Sequence, residues 1–561
     1  MTEFEERADQ LDLATISESL ADGEIFVHAR KKLLSTGAKL LVGPRGTGKT
    51  HVMRFAYMQA LASPTSPLAL YANFSRYLNL EPLLTKSTDA VQRFHAWVIA
   101  KLILSAFDRI RDAKGDPKFL SRESEYFDES SLQKLVALLE RGNGGDEYEK
   151  TGQFLVIDHV HLAIRALATK YERKRTVLLL DDAALSLAGE YLVAFFQIFR
   201  LLKTETVAPK ASVYPGSTQY GPSFHASHEV EEVPLWLSTD DPNYSKILGE
   251  IANNRLAPEQ VGQINTDVLE VLKYISFGIP RAFLRLLREY SEDSTGSSQA
   301  KMNKIVGRQT ALLMDEYTSL SIKLPQFGSL ISMGRNLFET AVSDMVTAQS
   351  DDGKSRLLIL GIRQGPERTP LANRMLKFLI EVGLFYPMHP VSHGPNRKYD
   401  RYIPHFAFLY QQGSFRDGNS AWAKGVANYM QRPPAKHPVR RDLAKLLPDD
   451  DLDLIKLDLP PCQNCHTARI NESQRFCHQC GNELFVSSLF ETCMKLPLER
   501  IPGISAAIIA RVHAATPIRT VGHVYASQNA SSDLQQATYV GKIRADEIER
   551  KVAQTINEFL S

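Results

Sequence analysis

A glycine-rich stretch near the N-terminus, LLVGPRGTGKT at residues 40–50, constrains the fold more than any other part of the chain. It fits the pattern G-x-x-x-x-G-K-[ST], with an apolar run before it and HVMRFAYMQALA after it, which predict a strand and a helix. Glycines tolerate a positive φ, so the loop can wrap a phosphate with backbone N–H groups, and the helix N-terminus adds partial positive charge. The stretch therefore predicts a nucleotide-binding α/β domain; the alternative is a glycine-rich turn that matches by chance.

The loop residues have distinct predicted roles. The Lys49 ammonium is expected to contact the β- and γ-phosphates of ATP, and the Thr50 hydroxyl is expected to ligate Mg²⁺. The predicted nucleotide-binding set is Gly43, Pro44, Arg45, Gly46, Thr47, Gly48, Lys49, Thr50 and, from a second segment, Asp181.

That second segment is RTVLLLDDAALS, residues 175–186. Its run Val177–Leu180 is continuously apolar, which is typical of a parallel strand covered on both faces. Asp181, at the end of this strand, is predicted to complete the magnesium site with Thr50. Asp182 stands where many ATPases carry the glutamate that orients the attacking water, and its side chain is one methylene shorter, so we predict slow hydrolysis. The alternative is a strand followed by a polar turn.

A third segment, KYISFGIPRAFLRLLREY, contains Gly278-Ile279-Pro280-Arg281 at the start of a strongly amphipathic helix. An arginine at such a helix start can reach back to a γ-phosphate. Lys49, Asp181, Asp182 and Arg281 are therefore the predicted catalytic residues. The alternative for Arg281 is a solvated arginine at a helix cap.

The three segments, in this order and at these spacings, resemble the AAA+ ATPases. The Gly278–Arg281 helix resembles the sensor-2 region of initiators of the origin-recognition-complex and Cdc-six type. The resemblance implies an ATPase core at 1–245 and a helical lid at 246–324. Within the core, the polar, glycine-bearing segment at about 112–151 is predicted to be an irregular surface insertion.

The resemblance also implies a polar sensor-1 residue at the tip of the strand that follows the carboxylates. The segment KASVYPGSTQYG offers Ser217 or Thr218 for this role. An arginine finger is also expected in this family, and Arg200 is the best available candidate.

The segment 325–425 predicts a winged helix, which the origin-recognition family carries after its ATPase. A helix at Leu371–Val382 precedes strands at Phe385–Pro387 and Tyr399–Ile403, with a basic turn between them. From residue 363 to residue 441 there are 13 Lys and Arg against 4 Asp and Glu, a local +9 in a chain whose net charge is +2. Such a patch attracts phosphate backbones, here of double-stranded DNA. The predicted DNA contacts are Arg374 and Lys377 on the helix and Arg397, Lys398 and Arg401 in the wing. The alternative is a winged helix that contacts protein.

Four of the five cysteines follow a predicted linker at 426–460. The spacing Cys462-x₂-Cys465-x₁₁-Cys477-x₂-Cys480 resembles a zinc ribbon at 461–485, in which four thiolates close a tetrahedral structural Zn²⁺ site. His466 and His478 are expected to be surface bystanders, and Cys493 a buried thiol. Clustered cysteines favour metal binding in a reducing compartment over disulfides, so we expect a cytoplasmic protein.

The tail at 490–561 contains an imperfect repeat. IPGISAAIIARV and ATYVGKIRADEI align as twelve-residue units that resemble tandem helix–hairpin–helix motifs. Gly503 and Gly541 are the predicted contacts, because a glycine turn at a helix N-terminus offers N–H groups to a DNA phosphate. The alternative is a small helical module for protein interaction.

The chain is thus predicted to be a multidomain α/β protein: a P-loop AAA+ core with a parallel sheet, a helical lid, a winged helix, a zinc ribbon and a helix–hairpin–helix tail. The predicted function is an ATP-binding, slowly hydrolysing switch that uses ATP, Mg²⁺ and Zn²⁺ and binds DNA. The alternative is a signalling or scaffold NTPase whose C-terminal modules recruit a protein effector. Self-assembly stays open, as do replication, mobile-element maintenance and antiviral defence as settings. No apolar run reaches membrane-spanning length, so no membrane partner is expected.

Overall fold

The computed structural model of this 561-residue chain describes most of its residues. The described residues are 11, 15–16, 21, 23–75, 80, 88–141, 145–183, 189–218, 220–221, 224–256, 262–293, 296–348, 356–366, 368–394, 397–415, 422–435, 438–447, 455–459, 461–462, 464–470, 474, 476–482, 484, 493–501, 504–527 and 529–560. Among them, no helix combines the length and the apolar character that crossing a lipid bilayer requires.

The first half of the chain forms a five-stranded parallel sheet with the strand order β2-β3-β4-β1-β5. Parallel neighbours require crossover connections, which helices supply. The elements are α1 (Glu24–Leu33), β1 (Lys39–Val42), α2 (Lys49–Ala62), β2 (Leu68–Asn73), α3 (Ala90–Asp112), α4 (Glu129–Leu139), α5 (Gly145–Lys150), α6 (Ile157–Lys170), β3 (Thr176–Asp181), α7 (Gly189–Leu202), β4 (Val207–Val213), α8 (Ala226–Glu229) and β5 (Glu231–Pro234).

Two groups of elements follow the first sheet. A helical group consists of α9 (Tyr244–Arg255), α10 (Thr266–Ile275), α11 (Pro280–Glu292) and α12 (Ser298–Lys323). A mixed group consists of α13 (Gly328–Thr347), β6 (Leu360–Arg363), α14 (Pro370–Glu381), β7 (Phe385–Ser392), β8 (Lys398–Pro404), α15 (Phe406–Gln411), α16 (Trp422–Gln431) and β9 (Val439–Arg441). Its four strands form a second sheet in the order β7-β8-β6-β9, in which β7 and β8 are an antiparallel hairpin.

The C-terminal part contains α17 (Ala506–Ala515), α18 (Val521–Ala526), α19 (Ala530–Leu534) and α20 (Lys542–Leu560). Side chains cap several of these helices. Ser505 accepts a hydrogen bond from Ile508 N, and Thr520 accepts one from His523 N, so each satisfies a backbone donor of the first turn.

Alternate residues of the parallel strands face two different apolar clusters. Leu41 and Leu179 belong to a cluster that continues through α2, the helical group and the second sheet. Leu40 and Leu178 belong to a second cluster, which contains α3, α6 and α7. Both faces of the sheet are therefore covered, as expected for parallel strands. The predicted class, a multidomain α/β protein with a parallel P-loop sheet, is confirmed.

The predicted insertion at about 112–151 is more ordered than its composition suggests. Part of it forms α4, whose side chains Leu132, Leu135 and Leu139 are all buried. These leucines stand three and four positions apart, which places them on one face of a helix, and Asp128 caps its start by accepting from Ser131 N. The prediction of an irregular segment is wrong over α4, because an amphipathic helix needs only these few apolar residues.

The predicted linker at 426–460 also contains folded structure. Most of α16 lies in it, and β9 pairs in parallel with β6 as an edge of the second sheet. Further along, the Asp458 carboxylate accepts hydrogen bonds from Ser329 N at 2.6 Å and from Ser329 Oγ at 2.7 Å. The prediction of a linker is wrong up to about residue 447. The prolines in this stretch flank an edge strand, a position in which proline is tolerated.

Candidate functional site

The glycine-rich loop lies between β1 and α2, as predicted. Gly46 and Gly48 have φ angles of 79° and 93°, in the left-handed region that favours glycine. At Gly43 the backbone passes so close to β5 that a Cβ atom would lie 2.4 Å from the carbonyl oxygen of Leu235. The loop conformation therefore depends on all three glycines.

Lys49 is buried under this loop. Its Nζ donates to the carbonyl oxygens of Gly43 at 2.7 Å and Pro44 at 2.8 Å, and it lies 4.1 Å from the centroid of the Tyr214 ring. Burial lowers the pKa of Lys49 to about 7, although the negative charges of Asp182 and Asp181 oppose that shift. A buried ammonium of this kind gains stability from any further anion placed beside it.

Asp181 lies at the buried end of β3, and its carboxylate accepts hydrogen bonds from three hydroxyl groups. It accepts hydrogen bonds from Tyr71 Oη at 2.8 Å, from Ser212 Oγ at 3.1 Å and from the side chain of Thr50. Burial raises the pKa of Asp181, and these hydrogen bonds oppose the rise. A hydroxyl and a carboxylate side by side are hard oxygen ligands, so Thr50 and Asp181 fit the predicted Mg²⁺ site.

Asp182 follows directly and adopts a φ of 53°, which is left-handed for a residue other than glycine. Its backbone N donates to Ser212 Oγ at 2.8 Å, so one serine of β4 bonds to both acidic residues. Aspartate tolerates this backbone region better than longer side chains do, which accounts for a short acid at this position.

The Gly278–Arg281 segment lies against the glycine-rich loop. Arg281 N donates to Gly46 O at 3.3 Å, and a Cβ at Gly46 would lie 3.0 Å from Arg281 Cβ. Gly278 has a φ of 73°, and a Cβ there would lie 1.9 Å from the carbonyl oxygen of Leu237, so only glycine fits. The start of α11 thus lies beside the loop, and the Arg281 side chain is exposed there.

Tyr214, which follows β4, is not among the residues that the sequence pattern predicts. It is 7% exposed and its ring also lies 5.5 Å from the Arg45 guanidinium. The sensor-1 candidates are close to it in the chain: Thr218 Oγ1 accepts from Tyr214 N at 3.1 Å, and Ser217 is buried. Arg200, the arginine-finger candidate, lies exposed in the last turn of α7.

The four clustered cysteines come together as predicted. All four Sγ atoms lie within 4.8 Å of one another, with Cys462 and Cys480 3.5 Å apart and Cys465 and Cys477 3.4 Å apart. These separations suit a tetrahedral four-thiolate Zn²⁺ site, which would leave no position for a substrate. A hydrogen bond from the Thr467 hydroxyl lowers the pKa of Cys465 to about 6, which favours the thiolate.

The two Cys-x-x-Cys turns, which begin at Cys462 and Cys477, have matching backbone hydrogen bonds. Cys462 N donates to Thr467 O, and Cys477 N donates to Asn482 O, five residues on in each case. His466 and Gly481 occupy the same place in these turns and both have a positive φ, 57° and 70°. His466 therefore serves the turn geometry and stays a predicted bystander, as does His478.

The predicted DNA-contacting residues are not equally available. Arg397 and Lys398 are exposed at the tip of the β7–β8 hairpin, and Arg401 is half-buried with Nε donating to His389 O at 2.8 Å. On α14, Lys377 is exposed, whereas the Arg374 guanidinium is half-buried 4.5 Å from the Phe327 ring. The hairpin thus presents more basic surface than the helix does.

Neighbours in space extend the basic hairpin. Arg440, on β9, lies 3.2 Å from His393 Nε2 and 5.7 Å from the Tyr399 ring. His389 and His393 are exposed on the same hairpin. Arg440 reaches this surface because β9 joins the second sheet, which the linker prediction did not allow.

In the tail, Gly541 is exposed immediately before α20, and a Cβ there would contact nothing within 4 Å. Large apolar side chains flank it: Tyr539 is 79% exposed and Ile543 is 85% exposed. Gly503 lies outside the described residues. Cys493 is buried, as predicted, and burial raises the pKa of its thiol to about 12.

No protein-family model matches this chain, and no curated protein matches it. It is similar to a solved structure of the Aeropyrum pernix ORC1 protein in complex with DNA, with 14% identity, 71% of this chain and 93% of the other covered, and a TM-score of 0.31. It is also similar to the Aeropyrum pernix ORC2 protein in ADPNP–ADP complexes, with 14% identity, coverage of 73% and 93%, and a TM-score of 0.29. The strand order of the parallel sheet and the geometry of the glycine-rich loop define the fold of this chain.

Proposed function

We propose that this protein is an AAA+ ATP switch, which binds and slowly hydrolyses ATP and binds DNA through its second sheet. The observation that carries the proposal is the convergence of three segments on one sheet edge: the glycine-rich loop, the acidic end of β3 and the start of α11. A glycine turn arising by chance would not require Thr50 beside Asp181 and Arg281 N beside Gly46.

The proposed roles follow from the chemistry of each side chain. The backbone N–H groups of residues 43–48 and the Lys49 ammonium hold the phosphates. Thr50 and Asp181 hold Mg²⁺, which would neutralise part of the phosphate charge when bound. Asp182 orients the attacking water, and Arg281 approaches the γ-phosphate from the lid side. Asp182 is one methylene shorter than the glutamate that many ATPases carry, and this supports slow turnover, which suits a switch rather than a motor.

A binding measurement with matched substitutions tests the nucleotide site. Lys49→Met removes the ammonium but keeps much of the side-chain volume against Tyr214, so the fold is expected to survive. We expect at least about a tenfold loss of affinity for a fluorescent ATP analogue, because a hydrogen bond to a charged group is lost. The control is Lys174→Met, which removes the same charge from an exposed position of the same domain. Unchanged affinity in Lys49→Met would reject the proposed site.

The DNA-binding part of the proposal is supported by the exposed basic hairpin and by the positive balance of the surrounding segment. Arg397, Lys398 and Arg440 offer guanidinium and ammonium groups on one sheet, and such groups bind phosphates without reading base sequence. A gel shift of the intact protein at several salt concentrations tests this part, since binding through phosphates weakens as salt rises.

The exposed apolar side chains beside Gly541 favour a second candidate function. Tyr539 and Ile543 are unusual on a helix start that contacts only phosphate, and they suit a protein partner that covers them. In that case the chain is a scaffold NTPase whose tail recruits a protein effector. Absence of DNA binding at low salt, by protein that binds ATP, would favour this second function.

A further inference from the structure

The loop after β4, residues 214–218 (the β4 loop), contacts both the candidate nucleotide site and α14, a helix of the mixed group. At its start, the Tyr214 ring packs on the Lys49 ammonium, with 4.1 Å between Nζ and the ring centroid. Because the ring is buried there, it is held against this cation rather than rotating in solvent. Any change in the position of Lys49 therefore alters the packing of the β4 loop.

At its middle, the β4 loop is bound by Glu381, the last residue of α14. Glu381 Oε2 accepts hydrogen bonds from Gly216 N at 2.7 Å and from Ser217 N at 2.6 Å. The side chain is only 4% exposed, and a buried carboxylate is costly unless it is hydrogen-bonded. Two N–H donors on one carboxylate oxygen give strong, charge-assisted hydrogen bonds.

Helix stability does not explain this glutamate. The C-terminus of a helix carries partial negative charge, so an acidic side chain in the last turn of α14 is unfavourable for the helix itself. The favourable interactions of Glu381 are with the β4 loop, which belongs to the first sheet. The contact between α14 and the β4 loop of the first sheet therefore explains the position of Glu381.

The contact leaves no free space. A Cβ at Gly216 would lie 2.8 Å from both Glu381 Oε2 and Phe378 Cδ1, and 3.0 Å from the Lys377 carbonyl carbon. Two residues after Glu381, a Cβ at Gly383 would lie 3.1 Å from Ile279 Cδ1, which belongs to the Gly278–Arg281 segment. Close-packed groups transmit displacements rather than absorbing them.

We propose that Glu381 is a positioning residue that couples the conformation of the Lys49 site to the placement of α14 and the β7–β8 hairpin. The proposal rests on the proposed ATP site. The Lys49 ammonium uses two of its three N–H groups to donate hydrogen bonds to loop carbonyl oxygens. Turning Nζ toward a phosphate therefore changes its contact with Tyr214. The β4 loop then shifts, and Glu381 carries the shift to α14, the helix that precedes the basic hairpin.

Hydrogen–deuterium exchange of the full chain tests the coupling, with Mg²⁺ and a non-hydrolysable ATP analogue as the probe. In the wild type, we expect saturating analogue to change exchange by about fivefold or more in residues 43–62 and in residues 372–392. In Glu381→Ala the first change remains and the second is lost, while affinity for the analogue stays within about threefold. Glu381→Gln keeps an acceptor oxygen and restores much of the second change.

The control is Glu339→Ala, an exposed glutamate on α13, which behaves as the wild type. If Glu381→Ala does not fold, Tyr214→Leu breaks the relay at its other end and is expected to lose the change in 372–392. A wild type that does not bind the analogue overturns the proposed function. Binding with protection at 43–62 but none at 372–392 overturns the coupling alone. An unchanged response in Glu381→Ala overturns the role of Glu381.

Discussion

Lys49 shows how one buried side chain links structure to binding. Its ammonium has left water for a site formed by two carbonyl oxygens and an aromatic face, and burial lowers its pKa to about 7 against an ordinary value of 10.5. A phosphate beside the ammonium favours the charged form and so raises this pKa. Nucleotide and proton therefore bind together, which makes affinity depend on pH.

We predict that ATP affinity is full below about pH 7 and falls between pH 7 and pH 9, by up to about tenfold per unit. The sign follows from Lys49: above its pKa, the free protein carries a neutral amine that must take up a proton to bind phosphate. The phosphate itself titrates near pH 6 and is ionised throughout this range. In Lys49→Arg the guanidinium stays charged, so the affinity is expected to be nearly constant. Fluorescence titrations of the wild type and of Lys49→Arg from pH 7 to pH 9 measure the two affinities; a flat wild-type profile contradicts the prediction.

The sequence predicted the residues of this site that stand close together in the chain. The spacing of the glycines predicts Lys49 and Thr50, and an apolar run that is followed by an aspartate predicts Asp181. Ser212, Tyr71 and Tyr214 could not be predicted in the same way. They lie on or beside neighbouring strands, and strand order determines which of their side chains reach Asp181 and Lys49.

At the scale of elements, the β7–β8 hairpin has the clearest test. Alanine at Arg397, Lys398 and Arg401 is predicted to weaken DNA binding for all sequences, and to reduce the salt slope by about one unit per lost phosphate contact. The matched control replaces Lys304, Arg308 and Arg335, three exposed basic residues on α12 and α13, and removes the same charge. If both triple variants lose the same slope, net charge alone accounts for binding and the hairpin is not the contact.

The cysteine cluster is an element whose stability is expected to depend on its metal, because few apolar residues surround it. We predict about one tightly held zinc per chain, lost in Cys477→Ser with local unfolding of the ribbon only. Nucleotide binding should not change in that variant. Cys493→Ala, at a buried thiol outside the cluster, should retain the metal. Elemental analysis and fluorescence titration measure these outcomes; purified wild type without zinc or iron would reject the site.

Prediction from sequence succeeded least where an element's role depends on its neighbours. The helix at α14 and its two following strands lie where the pattern predicts them, but Arg374 packs on Phe327 and Glu381 faces the β4 loop. A helical repeat identifies the buried face without identifying what covers it. In the same way, β9 has few residues and adjacent prolines, and only its pairing with β6 makes it a strand.

At the scale of the whole molecule, one apolar cluster is continuous from α2 through the helical group (α9–α12) to the second sheet. Its members include Ile279 beside the glycine-rich loop and Phe385 on the basic hairpin's first strand. A polar contact crosses the same boundary, since Arg356 of the mixed group pairs with Asp240, which lies between β5 and α9. Units joined this closely can respond together to a ligand at one of them.

We therefore predict that ATP and ADP give different DNA affinities and that Arg281 is required for the full difference. A ligand shifts such an equilibrium only through its different affinity for the two states, and coupling typically amounts to about 1–3 kcal/mol, or roughly 5- to 150-fold. Arg281 lies where α11 meets Gly46, so we expect it to respond to the γ-phosphate and to move the helical group.

Fluorescence anisotropy with labelled double-stranded DNA measures this coupling, in ATP, in ADP and without nucleotide. Arg281→Ala should bind ATP nearly as well as the wild type, since Lys49 and the loop remain. The difference in DNA affinity between the ATP and ADP conditions should be smaller than in the wild type, because only the contact through the β4 loop and Glu381 remains. Arg288→Ala, about two turns further along α11 and exposed, serves as the control and should keep the difference. Equal wild-type affinities in the three conditions would show that the nucleotide does not control DNA binding. A difference as large in Arg281→Ala as in the wild type would instead assign the coupling to the β4 loop and Glu381 alone, because that contact reaches α14 without passing through α11.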